Sequence, residues 1–326
     1  MKAIVCTKYG SPEVLKLQDF EKPVPKDDEV LIKVLASVVS PSDCAFRKGE
    51  PFMVRFFNGL LKPKNAIPGE MLAGEIEKVG KEVTLFKQGD QVFGSTCTSF
   101  GAYAQYKCLS QQDVLAIKPV NMNYYEAAAI CDGAITALPF LRDNGKIQKG
   151  HKVLIYGASG SVGTFAIQIA KYYGAQVSAV CSTANVEMVR SLGADTVIDY
   201  TKTDFTKNGE TYDIIFDVVC KSSYSRCKAS LKEKGTYLTT FPTASVLFHM
   251  VWTAKSTGKK AVFAATGIRP AVEKNKDIRF LSSLIEEGKI KSVIDRCYSL
   301  DETAEAHRYV ETGRKKGNVI ITISSW

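Results

Sequence analysis

The run Tyr156-Gly157-Ala158-Ser159-Gly160-Ser161-Val162-Gly163 constrains the fold of this chain more than any other segment. Before it, Lys152 to Tyr156 (KVLIY) reads as a short buried strand. After it, Val162, Phe165, Ala166, Ile169, Ala170 and Tyr173 recur at i, i+3, i+4, i+7, i+8 and i+11, the signature of an amphipathic helix. Strand, glycine turn and helix in that order open a dinucleotide-binding unit. The spacing is GxxGxxG where GxGxxG is commoner. Gly160 lets the backbone approach a pyrophosphate, and Gly163 lets helix pack closely on strand. Gly157 and Ser159 complete the turn. The N–H groups and positive dipole end of the helix start, at Ser161, Val162 and Gly163, receive the phosphates. The alternative is a tight glycine turn with no ligand.

The next strand, Val177 to Cys181, runs into Ser182-Thr183-Ala184-Asn185. An acid at this strand end binds the 2′-hydroxyl of NAD and repels the 2′-phosphate of NADP. No acid occurs between Gly163 and Glu187, and the hydroxyls of Ser182 and Thr183 can donate to a phosphate. The expected cofactor is NADPH, with NADP preferred over NAD.

Around this unit, 326 residues suffice for two domains of ordinary size. Residues 1–120 read as β structure: Ala3 to Cys6, Glu29 to Val39, Leu72 to Val79 and Tyr103 to Cys108 are separated by Gly and Pro. This pattern suits a small barrel, and Lys48 to Asn65 reads as a loop or short helix within it. Residues 121–268 alternate helix and strand, which implies a parallel sheet covered on both faces. Here Asn123 to Leu141 reads as a helix pair broken at Asp132-Gly133. Residues 269–326 read as a helix (Ala271 to Glu287), a strand (Ser292 to Tyr298), a helix capped by Asp301 and a closing strand (Asn318 to Ile323).

Composition narrows the function classes. At 45% hydrophobic and 24% charged, disorder, collagen and coiled coil are excluded. Nine cysteines, with no CxxC pair, argue against a disulfide framework or a zinc lobe and for free thiols in a reducing, cytoplasmic compartment. No stretch approaches a membrane span. The net charge of +9 is scattered, with no aromatic-basic module, so nucleic acid is not an expected partner.

In these features the chain resembles the medium-chain dehydrogenase/reductase superfamily, in its zinc-free quinone oxidoreductase branch. The marks are Glu29 to Val34, Ser40-Pro41-Ser42-Asp43, Pro68-Gly69 with Ala73-Gly74, Gly89 to Gly94, the Ala158–Gly163 turn, and Leu192-Gly193-Ala194-Asp195. The resemblance implies an α/β fold: a GroES-like β-barrel catalytic domain plus a Rossmann doubly wound parallel sheet, assembled as a homodimer. It also implies that Tyr200 lies near the adenosine, that Thr136, Thr240, Phe241 and Phe263 lie on the nicotinamide side, and that Lys316 and Asn318 close the cleft. Asn185 stands where many NADPH-using relatives carry Lys, which implies a moderate preference for NADP.

Zinc alcohol dehydrogenases carry Cys where Ser40 stands and His-Glu where this chain has Glu70-Met71, so no zinc is expected. Without a Lewis acid, alcohol oxidation loses its driving device. Hydride transfer to a small hydrophobic quinone or α,β-unsaturated carbonyl needs positioning and an oxyanion donor instead. Ser40, Asp43, Arg47 and Phe57 are the expected pocket residues, with Asp43 ordering its own loop. Val246 to Trp252 reads as core or dimer packing, or as a lid over the acceptor. The competing function is an NADPH-binding redox sensor or scaffold with little turnover.

Overall fold

A computed structural model of the chain describes residues 1–255 and 257–324. They fall into two units, residues 1–132 with the chain from Ile268 onward, and residues 133–267.

The first unit opens with an antiparallel ribbon of β1 (Lys2–Cys6) and β2 (Leu15–Asp19). The long β3 (Glu29–Val39) is buried along almost its whole length, as its apolar sequence requires. Helix α1 (Pro41–Lys48) follows at once, and the expected loop holds the short α2 (Val54–Asn58). Strands β4 (Met71–Val79), β5 (Gln91–Ser95), β6 (Tyr106–Ser110) and β7 (Val114–Ile117) come next. Helix α3 (Tyr124–Pro139) is continuous through Asp132-Gly133, where the sequence suggested a break. Packing overrides the low propensity of glycine here: a Cβ on Gly133 would lie 2.5 Å from the Phe165 ring and 2.6 Å from Ser161 Oγ.

The expected domain boundary was 120/121, yet residues 121–132 group with the first unit. Their hydrogen bonds explain it. Asn121 Nδ2 donates to Ile285 O at 2.8 Å, and Ser292 Oγ donates to Glu126 O at 2.8 Å.

The second unit is a parallel six-stranded sheet of β8 (Lys152–Tyr156), β9 (Gln176–Cys181), β10 (Thr196–Asp199), β11 (Tyr212–Asp217), β12 (Leu231–Thr239) and β13 (Lys260–Phe263). The spatial order is β10-β9-β8-β11-β12-β13, the 3-2-1-4-5-6 arrangement of dinucleotide-binding sheets. Helices α4 (Ser161–Tyr172), α5 (Val186–Ser191), α6 (Tyr224–Cys227) and α7 (Ala244–Ala254) connect the strands. Phe165, Ala166, Ile169 and Ala170 of α4 are fully buried, as their spacing requires.

The return to the first unit supplies α8 (Ala271–Glu286), β14 (Ile294–Ser299), α9 (Thr303–Glu311) and β15 (Asn318–Thr322). Strand β15 pairs with β3, giving the path β14-β15-β3-β4-β5-β7 with β6 also on β3. The cap before α9 is Ser299 rather than Asp301: Ser299 N donates to Glu302 Oε2 at 2.9 Å in a reciprocal capping box.

Candidate active site

Strand order reverses between β8 and β11, and in such sheets ligands bind in the crevice outside the carboxyl ends at that point. The glycine turn leaves β8 there. Gly157 has φ +88°, a conformation favouring glycine, and the N–H groups of Gly157 and Ala158 donate to Val180 O at 3.2 and 3.1 Å. Gly160 is the N-cap of α4 and no side chain caps that helix. A Cβ on Gly163 would sit 2.2 Å from Gly157 O and 2.7 Å from Ala158 Cα, so helix and turn touch at this point. A Cβ on Gly160 would meet only Gly157 O, at 3.6 Å, and otherwise open space. An uncapped helix start beneath a space that one methyl would enter fits a pyrophosphate.

At the adenosine end, Asn185 is buried, and its Nδ2 donates to Ser159 Oγ (3.1 Å) and Ser182 Oγ (3.2 Å), tying the glycine turn to the loop after β9. Its Oδ1 is buried with no hydrogen-bond partner, consistent with a site that a ligand's donor completes. Thr183 behaves differently from the expectation. Its hydroxyl donates to Asp199 Oδ2 at 2.5 Å, so a carboxylate does stand beside the loop. It was invisible in the segment before Glu187 because it comes from the end of the neighbouring parallel strand β10. Thr201 N and Oγ1 also donate to Asp199, at 3.0 and 2.7 Å, and these hydroxyl and amide bonds, Thr183 first, hold its carboxyl below the usual range. Tyr200 is 54% exposed, and its N–H donates to Cys181 O at 3.1 Å, at the same strand end.

Thr240, Phe241 and Phe263 gather at the carboxyl ends of β12 and β13, where Thr239 pairs with Phe263. The Thr240 hydroxyl donates to Val218 O at 3.5 Å. Thus the glycine turn, Ser182, Thr183, Tyr200, Thr240, Phe241 and Phe263 share one edge of one sheet. Thr136 is half-buried on α3. Lys316 and Asn318 belong to the first unit. Lys316 is exposed, whereas the Asn318 amide is buried and donates to Val293 O at 3.1 Å.

The expected pocket residues divide by role. Ser40 and Asp43 form a capping box on α1: Ser40 N donates to Asp43 Oδ2 (2.9 Å), Asp43 N to Ser40 Oγ (3.2 Å), and Ser40 Oγ to Asp43 Oδ2 (2.6 Å). The Ser40 hydroxyl is therefore engaged in ordering α1. Arg47 is 2% exposed and pairs with Glu311 of α9, which also takes Lys48 Nζ at 3.0 Å. This is an internal strut between helices. Phe57 lies apart from them, 65% exposed.

Glu70, which in sequence only departs from a zinc-binding pair, occupies a structured corner beside β5. Its Oε1 accepts from Ser95 Oγ at 3.4 Å, and its carbonyl accepts Thr96 N at 2.8 Å. Burial, then the charges of Asp43 and Asp132, push its carboxyl up to about 8, against the pull of Lys274. Burial likewise raises Asp43 to about 6, opposed by its bonds to Ser40. Glu70 therefore keeps its proton at neutral pH while Asp43 is mostly ionised.

Two family models match: "Alcohol dehydrogenase GroES-like domain" over residues 26–119 and "Zinc-binding dehydrogenase" over residues 192–321. The chain is 34% identical to the 2-methylene-furan-3-one reductase of Solanum lycopersicum, over 98% of this chain and 79% of that one. It is 32% identical, with the same coverage, to a chloroplastic NADPH-dependent alkenal/one oxidoreductase of Arabidopsis thaliana. The solved quinone oxidoreductase of Coxiella burnetii superposes with a TM-score of 0.87 at 29% identity, covering 99% of both chains. With both family models matched and this likeness running along nearly the whole length, the chain belongs to the medium-chain dehydrogenase/reductase superfamily, in its quinone oxidoreductase-like branch.

Proposed function

We propose that this protein is a zinc-independent, NADPH-dependent reductase of quinones and α,β-unsaturated carbonyls. The observation that carries the reading is the uncapped glycine turn at the reversal point of a 3-2-1-4-5-6 parallel sheet. The names of the alkenal/one oxidoreductase and the quinone oxidoreductase among its relatives support the acceptor class. When bound, the nicotinamide supplies the hydride. The chain's own residues do the rest. Gly157 to Gly163 hold the pyrophosphate, and Asn185 with Ser159 and Ser182 positions the ribose end. Ser40 and Asp43 order α1.

The dimer expected from the family has a matching feature in α7, whose Leu247, Phe248, Val251 and Trp252 are 42–76% exposed. All nine cysteines are free, which suits a reducing compartment. Steady-state NADPH oxidation tests the function. Quinones, alkenals and alkenones are expected to turn over, and saturated aldehydes and primary alcohols to give no rate above background. Turnover confined to the saturated compounds would contradict it.

Cofactor choice follows from Asp199. A carboxylate bonded to Thr183 repels a 2′-phosphate placed at that loop, and salt screens part of the field. Asp199→Asn is therefore expected to raise NADPH affinity about three- to tenfold and to leave NADH affinity within about twofold. Fluorescence titration of both cofactors reads this out. A fall in NADPH affinity would show that Asp199 instead orders the loop for phosphate binding.

A further inference from the structure

The segment between α1 and β4 packs with its polar side inward. Asn58 of α2 is buried, and its Nδ2 donates to Phe46 O at 3.4 Å. Arg55 Nε donates to Gly49 O at 3.0 Å, and the guanidinium lies 4.7 Å from the centroid of the Tyr9 ring. The Tyr9 hydroxyl in turn donates to Gly59 O. Gly59, at φ +110°, then turns the chain so tightly that a Cβ there would sit 2.3 Å from Lys62 O. The side chains left outside are Phe52, Met53, Phe56, Phe57, Leu60 and Leu61, which are 54–93% exposed.

A surface helix ordinarily buries its apolar stripe and shows its charges to water. Here polar contacts do the anchoring and the large apolar side chains stand together in solvent, which marks a contact surface. Cations run through and beside this patch: Lys48, Arg55, Lys62 and Lys64, against one carboxylate, Glu50. Lys48 Nζ is held by Glu311 at 3.0 Å, whereas Lys62 and Lys64 are exposed and have no acidic partner among the described residues. These charges select the occupant. In a symmetric pair of chains the patch would meet itself, and Lys62 and Lys64 would face their own copies. An anionic lipid surface instead takes apolar side chains into its headgroup layer while lysines stay at the phosphates.

We propose that Phe52 to Lys64 is a membrane-contact element that docks this protein on bilayers containing anionic lipid. The apolar side chains enter the headgroup layer, and Lys62 and Lys64 meet the lipid phosphates. The element lies on the surface and does not span it, since no helix among the described residues is long and apolar enough to cross a membrane.

Vesicle co-sedimentation of the full chain at low salt tests this. The wild-type chain is expected to bind phosphatidylcholine vesicles containing about a third phosphatidylglycerol at least about tenfold more tightly than pure phosphatidylcholine vesicles. The double variants Phe56→Ser/Leu61→Ser and Lys62→Glu/Lys64→Glu are each expected to lose at least about tenfold on the anionic vesicles. Lys87→Glu/Lys207→Glu, an equal charge change at exposed positions elsewhere, is expected to stay within about threefold of wild type. Circular dichroism melts establish that each variant is folded. A wild-type chain that does not bind the anionic vesicles would overturn the proposal, as would binding that both patch variants retain. Equal loss in Lys87→Glu/Lys207→Glu would also overturn it, by making binding a property of net charge. So would self-association, read by sedimentation velocity, that Phe56→Ser/Leu61→Ser abolishes in a chain with no affinity for vesicles, since a second copy would then own the patch. Vesicle binding needs neither cofactor nor acceptor, so this proposal and the functional reading fail separately.

Discussion

Gly160→Val is expected to bind NADPH at least about 100-fold more weakly than the wild-type chain while its fold is retained. The difference corresponds to about 2.7 kcal/mol. A Cβ at this position meets nothing nearer than Gly157 O at 3.6 Å, so a side chain begins in the open space over the start of α4. That space is where the pyrophosphate must lie if the uncapped N–H groups are to receive it. Gly163→Val provides the contrast. Its Cβ would lie 2.2 Å from a backbone oxygen, so the turn itself must move, and both binding and thermal stability fall. Cofactor fluorescence and far-ultraviolet circular dichroism together separate the two cases. Normal NADPH binding by folded Gly160→Val would place the phosphates elsewhere.

Glu70→Gln has the second large effect, and it depends on pH. The folded-state pKa of about 8 exceeds the ordinary 4.5, so the folded state binds the proton more tightly than the unfolded chain does. The stabilisation is complete below about pH 4.5 and is lost as pH rises through about 8. Glutamine cannot ionise. The variant should match wild type at pH 4 and exceed it at pH 9 by about 5 kcal/mol, a rise of several degrees in Tm. Thermal melts at the two pH values check the claim, and a variant no more stable than wild type at pH 9 would contradict it.

What the sequence revealed of this architecture was what local pattern can carry. The strand, glycine turn and helix at Lys152 to Tyr172 were legible because periodicity and turn chemistry act within a few residues. Gly133 misled because helix propensity is weak beside packing, and α3 needs a residue without Cβ where Phe165 and Ser161 press against it. The capping box of Ser40 and Asp43 had a local signal, Ser-Pro-Ser-Asp, that also announces α1. Asp199 and Glu70 had none. The carboxylate of Asp199 reaches Thr183 only because β10 lies beside β9, and the burial of Glu70 is a product of tertiary packing. Nor did any local pattern announce that Arg47 turns inward to Glu311, a pairing made by tertiary packing.

The central claim is that bound NADPH gives its hydride to conjugated acceptors. The most direct measurement is a stopped-flow single turnover, mixing the protein preloaded with NADPH against a panel of one quinone, one alkenone and one saturated aldehyde. The account predicts rapid loss of nicotinamide absorbance with the quinone and the alkenone, slowed about twofold or more by deuterium at the transferred C4 position, and none with the aldehyde. Tight NADPH binding with no absorbance change on any conjugated acceptor would contradict it and leave a binding protein without turnover.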